Sequence, residues 1–314
     1  KELGDAVEGN RQELIRRLNM APNGTPFLVS MREDLIKFLP TNNDLKNLDE
    51  DIRHLFKSWF NPGFLRLERI TWETKAAILE KIIRYEKVHQ IKDMSDLKRR
   101  LQQDDRRFFA YFHPILKDEP LIFVEVALSK NMPESINEVI KINRSVTLDE
   151  DINTAIFYSI SNCQEGLSGI SFGNFLIQKV AQKLRQENDG LDTFATLSPV
   201  PGFSKWLDKK SIDEYRDEDA LLKQALIYLL KSDRDDGLPN DPVAKFHLGN
   251  GAILERINLN ADLSSKGINQ SKGIMINYLY DLETLEENHE LFFKTREVKQ
   301  SDGIIALRKK LKIN

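Results

Sequence analysis

The spacing of apolar residues changes once along this chain, at Asp104-Asp105, and no other feature constrains the fold as strongly. Before that point apolar side chains recur at helical spacing. Leu45, Leu48, Ile52, Leu55, Phe56 and Trp59 form one stripe, with Lys46, Glu50, Arg53 and Lys57 between them, the pattern of a helix that buries a single face. A turn at Asn61-Pro62-Gly63 ends it. Thr71 is placed to cap a second helix bearing Ile78, Leu79, Ile82 and Ile83, and Ser95 a third bearing Leu97 and Leu101. Short helices with one apolar stripe each build bundles, so residues 1–104 read as an all-helical scaffold or oligomerisation domain. His54 and His89 have no evident partners there.

After Asp105 the apolar residues come in β-branched and aromatic runs. Phe108–Phe112, Leu121–Leu128, Thr154–Ser161, Phe194–Leu197 and Gly273–Tyr280 read as strands. Helices are expected between them, from Pro133 to Ile142, Gly173 to Gln186, Asp219 to Leu230 and Asp241 to Leu248. The alternation makes residues 105–314 a mixed α/β domain, and 314 residues suit two domains.

Composition narrows the function. Lys and Arg number 46 against 49 Asp and Glu, so no broad basic face can neutralise a nucleic-acid backbone. The single cysteine, Cys163, allows no intrachain disulfide and no thiolate metal cluster, and it suits a reducing compartment. No apolar run reaches the length of a membrane-spanning helix. The start, Lys-Glu-Leu-Gly, shows no signal-peptide pattern and reads as trimmed; a cytoplasmic protein is expected. Five scattered histidines lack the spacing of metal ligands. Among them, His113 and His289 read as solvated loop or cap residues.

Three stretches can carry chemistry. Gln164-Glu-Gly-Leu-Ser-Gly-Ile-Ser-Phe-Gly-Asn174 joins a strand to a helix, and its glycines let backbone amides turn outward at a helix N-terminus. That is a cradle for a pyrophosphate, without the lysine of a P-loop or the dinucleotide Gly-x-Gly-x-x-Gly. In Asp241–Gly251, His247 is followed by two glycines and an asparagine, which keep bulky groups away from a proton-transfer residue. In Phe194–Phe203, Ser198 precedes Pro199, Pro201 and Gly202. These make it either a residue of a rigid turn or a reactive group held still. Gly-x-Ser-x-Gly is absent, so a hydrolase elbow is not supported.

The loop resembles the Gln/Arg-x-x-Gly-x-Gly/Ala motif of N-acyltransferase-like folds; Gln164 and Gly169 match, and Leu167 replaces the first glycine. Across a longer span the chain resembles the malonyl-CoA decarboxylase family. The resemblance rests on Trp59–Phe64 with Arg69–Trp72, His113–Leu128, Gly166–Gly169, Leu197–Phe203, Asp241–Ala252 and Gly273–Tyr280, in family order. It implies an N-terminal helical domain that forms a homo-oligomer. It also implies an acyl-CoA N-acyltransferase-like (GNAT-like) mixed α/β catalytic domain.

The reaction so implied converts malonyl-CoA to acetyl-CoA and carbon dioxide, within fatty acid metabolism, with no biotin, metal or pyridoxal phosphate. The family's Ser-His pair falls on Ser198 and His247. Its CoA-binding loop falls on Ser168, Gly169, Ile170, Ser171, Phe172, Gly173 and Asn174, preceded by Gln164. Its late tyrosine, near the acyl end, falls on Tyr280. Some members carry a carboxylate where this chain has Ser171, so no acid–base role is transferred to that position. His247 is expected to protonate the α-carbon and Ser198 to hydrogen-bond the malonyl headgroup or accept a proton, the reverse assignment of the pair staying open, with backbone amides after the Ile156–Ser161 strand meeting the enolate oxygen. The competing readings are an acyl-CoA-dependent N-acyltransferase using the same loop, and a CoA-sensing scaffold without activity.

Overall fold

The stripe ending at Trp59 folds as the helix Lys46–Trp59, which buries Ile52, Leu55 and Phe56, each such side chain contributing about 1.5–3 kcal/mol on leaving water. This is seen in a computed structural model that describes residues 9–141, 145–170, 172–212 and 217–313. Helices Asn10–Met20 and Gly24–Phe38 precede it, and Ala76–Tyr85 and Met94–Gln102 follow. The two caps lie elsewhere than expected. Thr71 closes a turn by accepting from the Glu73 amide, and the helix begins five residues later, behind Lys75. Ser95 sits inside its helix, where Asp93 accepts from the Asp96 amide at 2.8 Å.

This region also holds a strand, β1 (Arg66–Arg69). Leu67 is its lone apolar residue, so no alternation marks it in the sequence; pairing, not burial, forms it. It runs antiparallel to β2 (Arg106–Phe112), with Leu67 opposite Tyr111.

The remaining strands are β3 (Pro120–Ser129), β4 (Thr154–Asn162), β5 (Thr193–Thr196), β6 (Ser198–Pro199), β7 (Ile253–Asn258) and β8 (Met275–Leu279). Strand order is β1-β2-β3-β4-β5-β8-β6, with β7 on β8. β5 lies parallel to β4, Thr193 opposite Thr154, and antiparallel to β8. β7 was not legible in the sequence: Glu255, Arg256 and Asn258 interrupt its apolar pattern. The helix expected from Pro133 is short, Ile136–Ile140, with Ser135 and Glu138 forming a capping box; Ile142 lies outside the described residues.

By internal contacts the chain divides into two units. The first comprises Lys1–Leu101, Phe108–Val124 and Ile160–Leu176; the second comprises Gln102–Arg107, Glu125–Ser159 and Ile177–Asn314. In the first, Ile78, Leu79, Ile82 and Leu97 from the helices pack with Phe108, Phe112 and Phe123 from the strands. In the second, Ile156, Tyr158, Ala195, Leu197 and Met275 form the sheet's share of a core closed by Ile136 and Val139. The expected order, a helical N-terminal region followed by a mixed α/β domain, is the one observed, with the loop after β4 leading to the helix Gly173–Glu187 and back to a parallel β5.

Candidate active site

β5 and β6 both pair with β8, and Leu197 between them turns its amide to Phe157 on β4, at 3.1 Å. Ser198 therefore starts β6, opposite Ile276, before the chain turns at Val200–Phe203. The Val200 amide donates to Ser271 Oγ at 3.2 Å. Ser198 is at a stiff turn, and its hydroxyl is buried in a polar network.

Ser198 Oγ lies 3.0 Å from His247 Nε2 and donates to Thr196 Oγ1 at 2.9 Å. His247 Nδ1 lies 2.8 Å from the Tyr280 hydroxyl. Thr196 Oγ1 accepts a second bond from the Tyr278 amide, at 3.3 Å. The imidazole stacks on the Tyr278 ring, centroids 4.6 Å apart, so ring rotation is blocked from one face. Ser198, His247 and Tyr280 are 6 %, 2 % and 1 % exposed.

Burial pushes the His247 pKa down to about 3, because the charged imidazolium loses its solvation. Burial pushes Tyr280 the other way, so its phenol stays protonated. With both groups neutral, the bond from Ser198 to Thr196 orients the chain. The phenol's hydrogen goes to His247 Nδ1, the imidazole carries its own hydrogen on Nε2, and Ser198 passes its hydrogen to Thr196. The result is a neutral histidine presenting Nε2–H beside a serine oxygen.

His247 sits on the helix Pro242–Gly249, which begins with Asp241 as N-cap and proline at the first position. Asp241 Oδ1 accepts from the amides of Val243 and Ala244, at 2.8 and 3.1 Å. Its Oδ2 accepts from the Gly202 amide at 3.1 Å and the Tyr228 hydroxyl at 3.2 Å. One buried carboxylate thus ties the turn after Ser198 to the helix of His247. Burial pushes its own pKa up, with these four donors opposing that push.

The loop carries the remaining expected residues, and it lies in the first unit. Gln164 Nε2 donates to the Pro120 carbonyl at 3.2 Å and to Glu119 at 3.3 Å. Ser168 and Gly169 are exposed, whereas Ile170 and Phe172 are buried. Gly173 and Asn174 open the helix Gly173–Glu187; Ser171 lies outside the described residues.

Two histidines read as solvated are not. His113 packs on Phe60 at 5.0 Å and accepts from the Ile115 amide through Nδ1; burial lowers its pKa. His289 is half-buried and donates from Nδ1 to the Gly249 carbonyl, at the end of the His247 helix. Sequence reasoning missed Thr196, Tyr278 and the Gly202 contact of Asp241. The Asp-Pro pair signals a helix cap, but nothing local signals a partner in another segment.

A neutral histidine locked between a serine and a tyrosine is an arrangement able to move a proton. The comparisons agree on its family. The model of the malonyl-CoA decarboxylase N-terminal domain matches residues 1–60, and that of the C-terminal domain matches residues 63–225 and 216–314. The chain belongs to the malonyl-CoA decarboxylase family. It is 33 % identical over 344 residues to the mitochondrial malonyl-CoA decarboxylase of Anser anser anser, spanning 93 % of this chain and 68 % of that protein. The crystal structure of malonyl-CoA decarboxylase from Rhodopseudomonas palustris matches with a TM-score of 0.90 and 47 % identity, covering 98 % of this chain and 81 % of that one. The corresponding structure from Cupriavidus metallidurans matches at 0.82 and 38 %, covering 95 % and 82 %.

Proposed function

We propose that this chain decarboxylates malonyl-CoA to acetyl-CoA and carbon dioxide, with Ser198 and His247 as its acid–base pair. The observation that carries this reading is the buried Tyr280–His247–Ser198–Thr196 chain in a member of this family. Breaking the bond to the carboxylate leaves its electron pair on the α-carbon, delocalised as an enolate onto the thioester oxygen. One proton must then reach that carbon, so each turnover consumes one. Free His247 is neutral near pH 7; a malonyl carboxylate beside it favours the imidazolium, and the bound substrate raises the acid that later protonates its own enolate. On binding, Ser198 turns its hydrogen from Thr196 to the headgroup. Asn250, buried beside the Tyr280 hydroxyl, supplies a donor for the enolate oxygen, an interaction worth about 3–4 kcal/mol in comparable sites.

The loop Gln164–Asn174 is the proposed CoA subsite, and the reaction draws on no cofactor beyond the CoA of its substrate. The working division remains a helical region 1–104 and a catalytic region 105–314. Exposed Leu14, Met20, Phe27 and Phe38 leave apolar side chains on the helical region for a second copy of the chain to cover. No helix among the described residues is long and apolar enough to cross a membrane. A cytoplasmic placement rests on the one free, buried cysteine. The test is release of carbon dioxide from malonyl-CoA with no amine present. An N-acyltransferase would release none, and that result would sink the reading.

A further inference from the structure

The helical region reaches the loop directly. Arg32, on the helix Gly24–Phe38, is 2 % exposed. Its Nε donates to Asp49 at 2.8 Å, and its Nη1 donates to the carbonyls of Gly166 and Ser168, each at 2.8 Å. Gly166 permits this approach: a Cβ there would stand 2.0 Å from the Val29 carbonyl oxygen. With two carbonyls drawn onto one guanidinium, the loop reverses at Gly169, whose φ is +79°, a conformation costly for other residues.

One helical turn beyond Asp49 stands Arg53. Its Nε is buried and has no hydrogen-bond partner among the described residues. Nε and Nη2 lie 3.4 and 3.6 Å from where a Cβ on Gly169 would be. Asp49 is already committed to Arg32, and none of the ion pairs among the described residues involves Arg53. The same loop lines a cavity of about 450 Å³ with Ile36 of the helical region, Lys87, Ser161 and Phe172.

We propose that the helical region forms part of the CoA subsite: Arg32 is a positioning residue that holds the loop, and Arg53 supplies a cation to the diphosphate. This rests on reading the loop as the CoA subsite. It gives the N-terminal helices a role in substrate affinity in addition to assembly.

The test compares malonyl-CoA with malonyl-pantetheine, which keeps the thioester and lacks the diphosphate and adenosine. Arg53→Gln should raise KM for malonyl-CoA about tenfold, the scale of one charge-assisted hydrogen bond, and leave kcat within about twofold. It should leave kcat/KM for malonyl-pantetheine unchanged. Arg32→Met should act in the same direction, with Arg32→Lys intermediate. Arg53 is partly exposed, so its variant keeps the test decisive if the Arg32 variants unfold. An Arg53→Gln enzyme that discriminates between the two substrates as the wild type does overturns the inference. A wild-type enzyme releasing no carbon dioxide would instead sink the underlying reading.

Discussion

In the proposed reading the Gln164–Asn174 loop meets the diphosphate with main chain, and a side chain, Arg32, holds that main chain in place. At Ser198 and His247 the groups offered are side chains, and backbone amides hold them through Asp241. The two regions solve opposite problems. A diphosphate needs several donors around a curved path, which a loop provides once its carbonyls are drawn aside. A proton transfer needs two atoms at a fixed separation, which a stiff turn and a capped helix provide. Damage to the loop should therefore appear in KM, and damage to the proton chain in kcat.

The strongest way to break that contrast is to remove the chemistry itself. Ser198→Ala and His247→Asn should each lower kcat for carbon dioxide release by about 10²–10⁴-fold, with binding of a non-reactive malonyl-CoA mimic retained. Near-normal turnover in either variant removes that residue from the mechanism. A smaller effect is expected from Tyr280→Phe. It deletes the donor to Nδ1 and releases the tautomer, costing about 1–3 kcal/mol, or roughly 5- to 150-fold in kcat, with KM nearly unchanged. Nitrogen NMR of the imidazole should show Nε2–H in the wild type and a shift toward Nδ1–H in the variant. A wild-type Nδ1–H signal would reverse the assigned direction of the chain.

The last effect concerns stability. His247 has an ordinary value of 6.5 and falls to about 3 when folded. Between those values the unfolded chain binds a proton that the folded chain does not. The contribution is therefore fully present above pH 6.5 and is lost as pH falls toward 3, at no more than about 1.4 kcal/mol per pH unit. Urea unfolding of His247→Asn should show a shallower acid decline than the wild type across that window. Parallel curves would mean that the imidazole is not buried in solution.

That Ser198 and His247 meet was legible through the family resemblance, which pairs them; the prolines after one and the glycines after the other left a stiff turn and a lone histidine open. The strands β3 and β4 were legible as largely apolar runs. What escaped depends on residues far apart meeting in space. Arg32 meets the loop across 134 positions, and Asp241 meets Gly202 across 39. Tyr280 was expected at the acyl end, but its bond to a ring nitrogen 33 positions away could not be read from a run of apolar residues. β1 escaped because pairing with β2 fixes it, and pairing leaves little trace in a four-residue segment. His113 looked polar and free only because Phe60, its cover, arrives from another element.

The burial of His247 also bears on the enzyme at rest. An imidazole that stays neutral down to about pH 3 is a poor acid, and its neighbouring hydroxyl donates to Thr196. An acetyl thioester, which brings no carboxylate, leaves that state as it was. In the proposed reading only the anionic substrate arms the acid, so the product meets an unarmed enzyme. Selectivity for the substrate over its own product then follows from a desolvated ring, with no pocket needed to tell the two acyl chains apart.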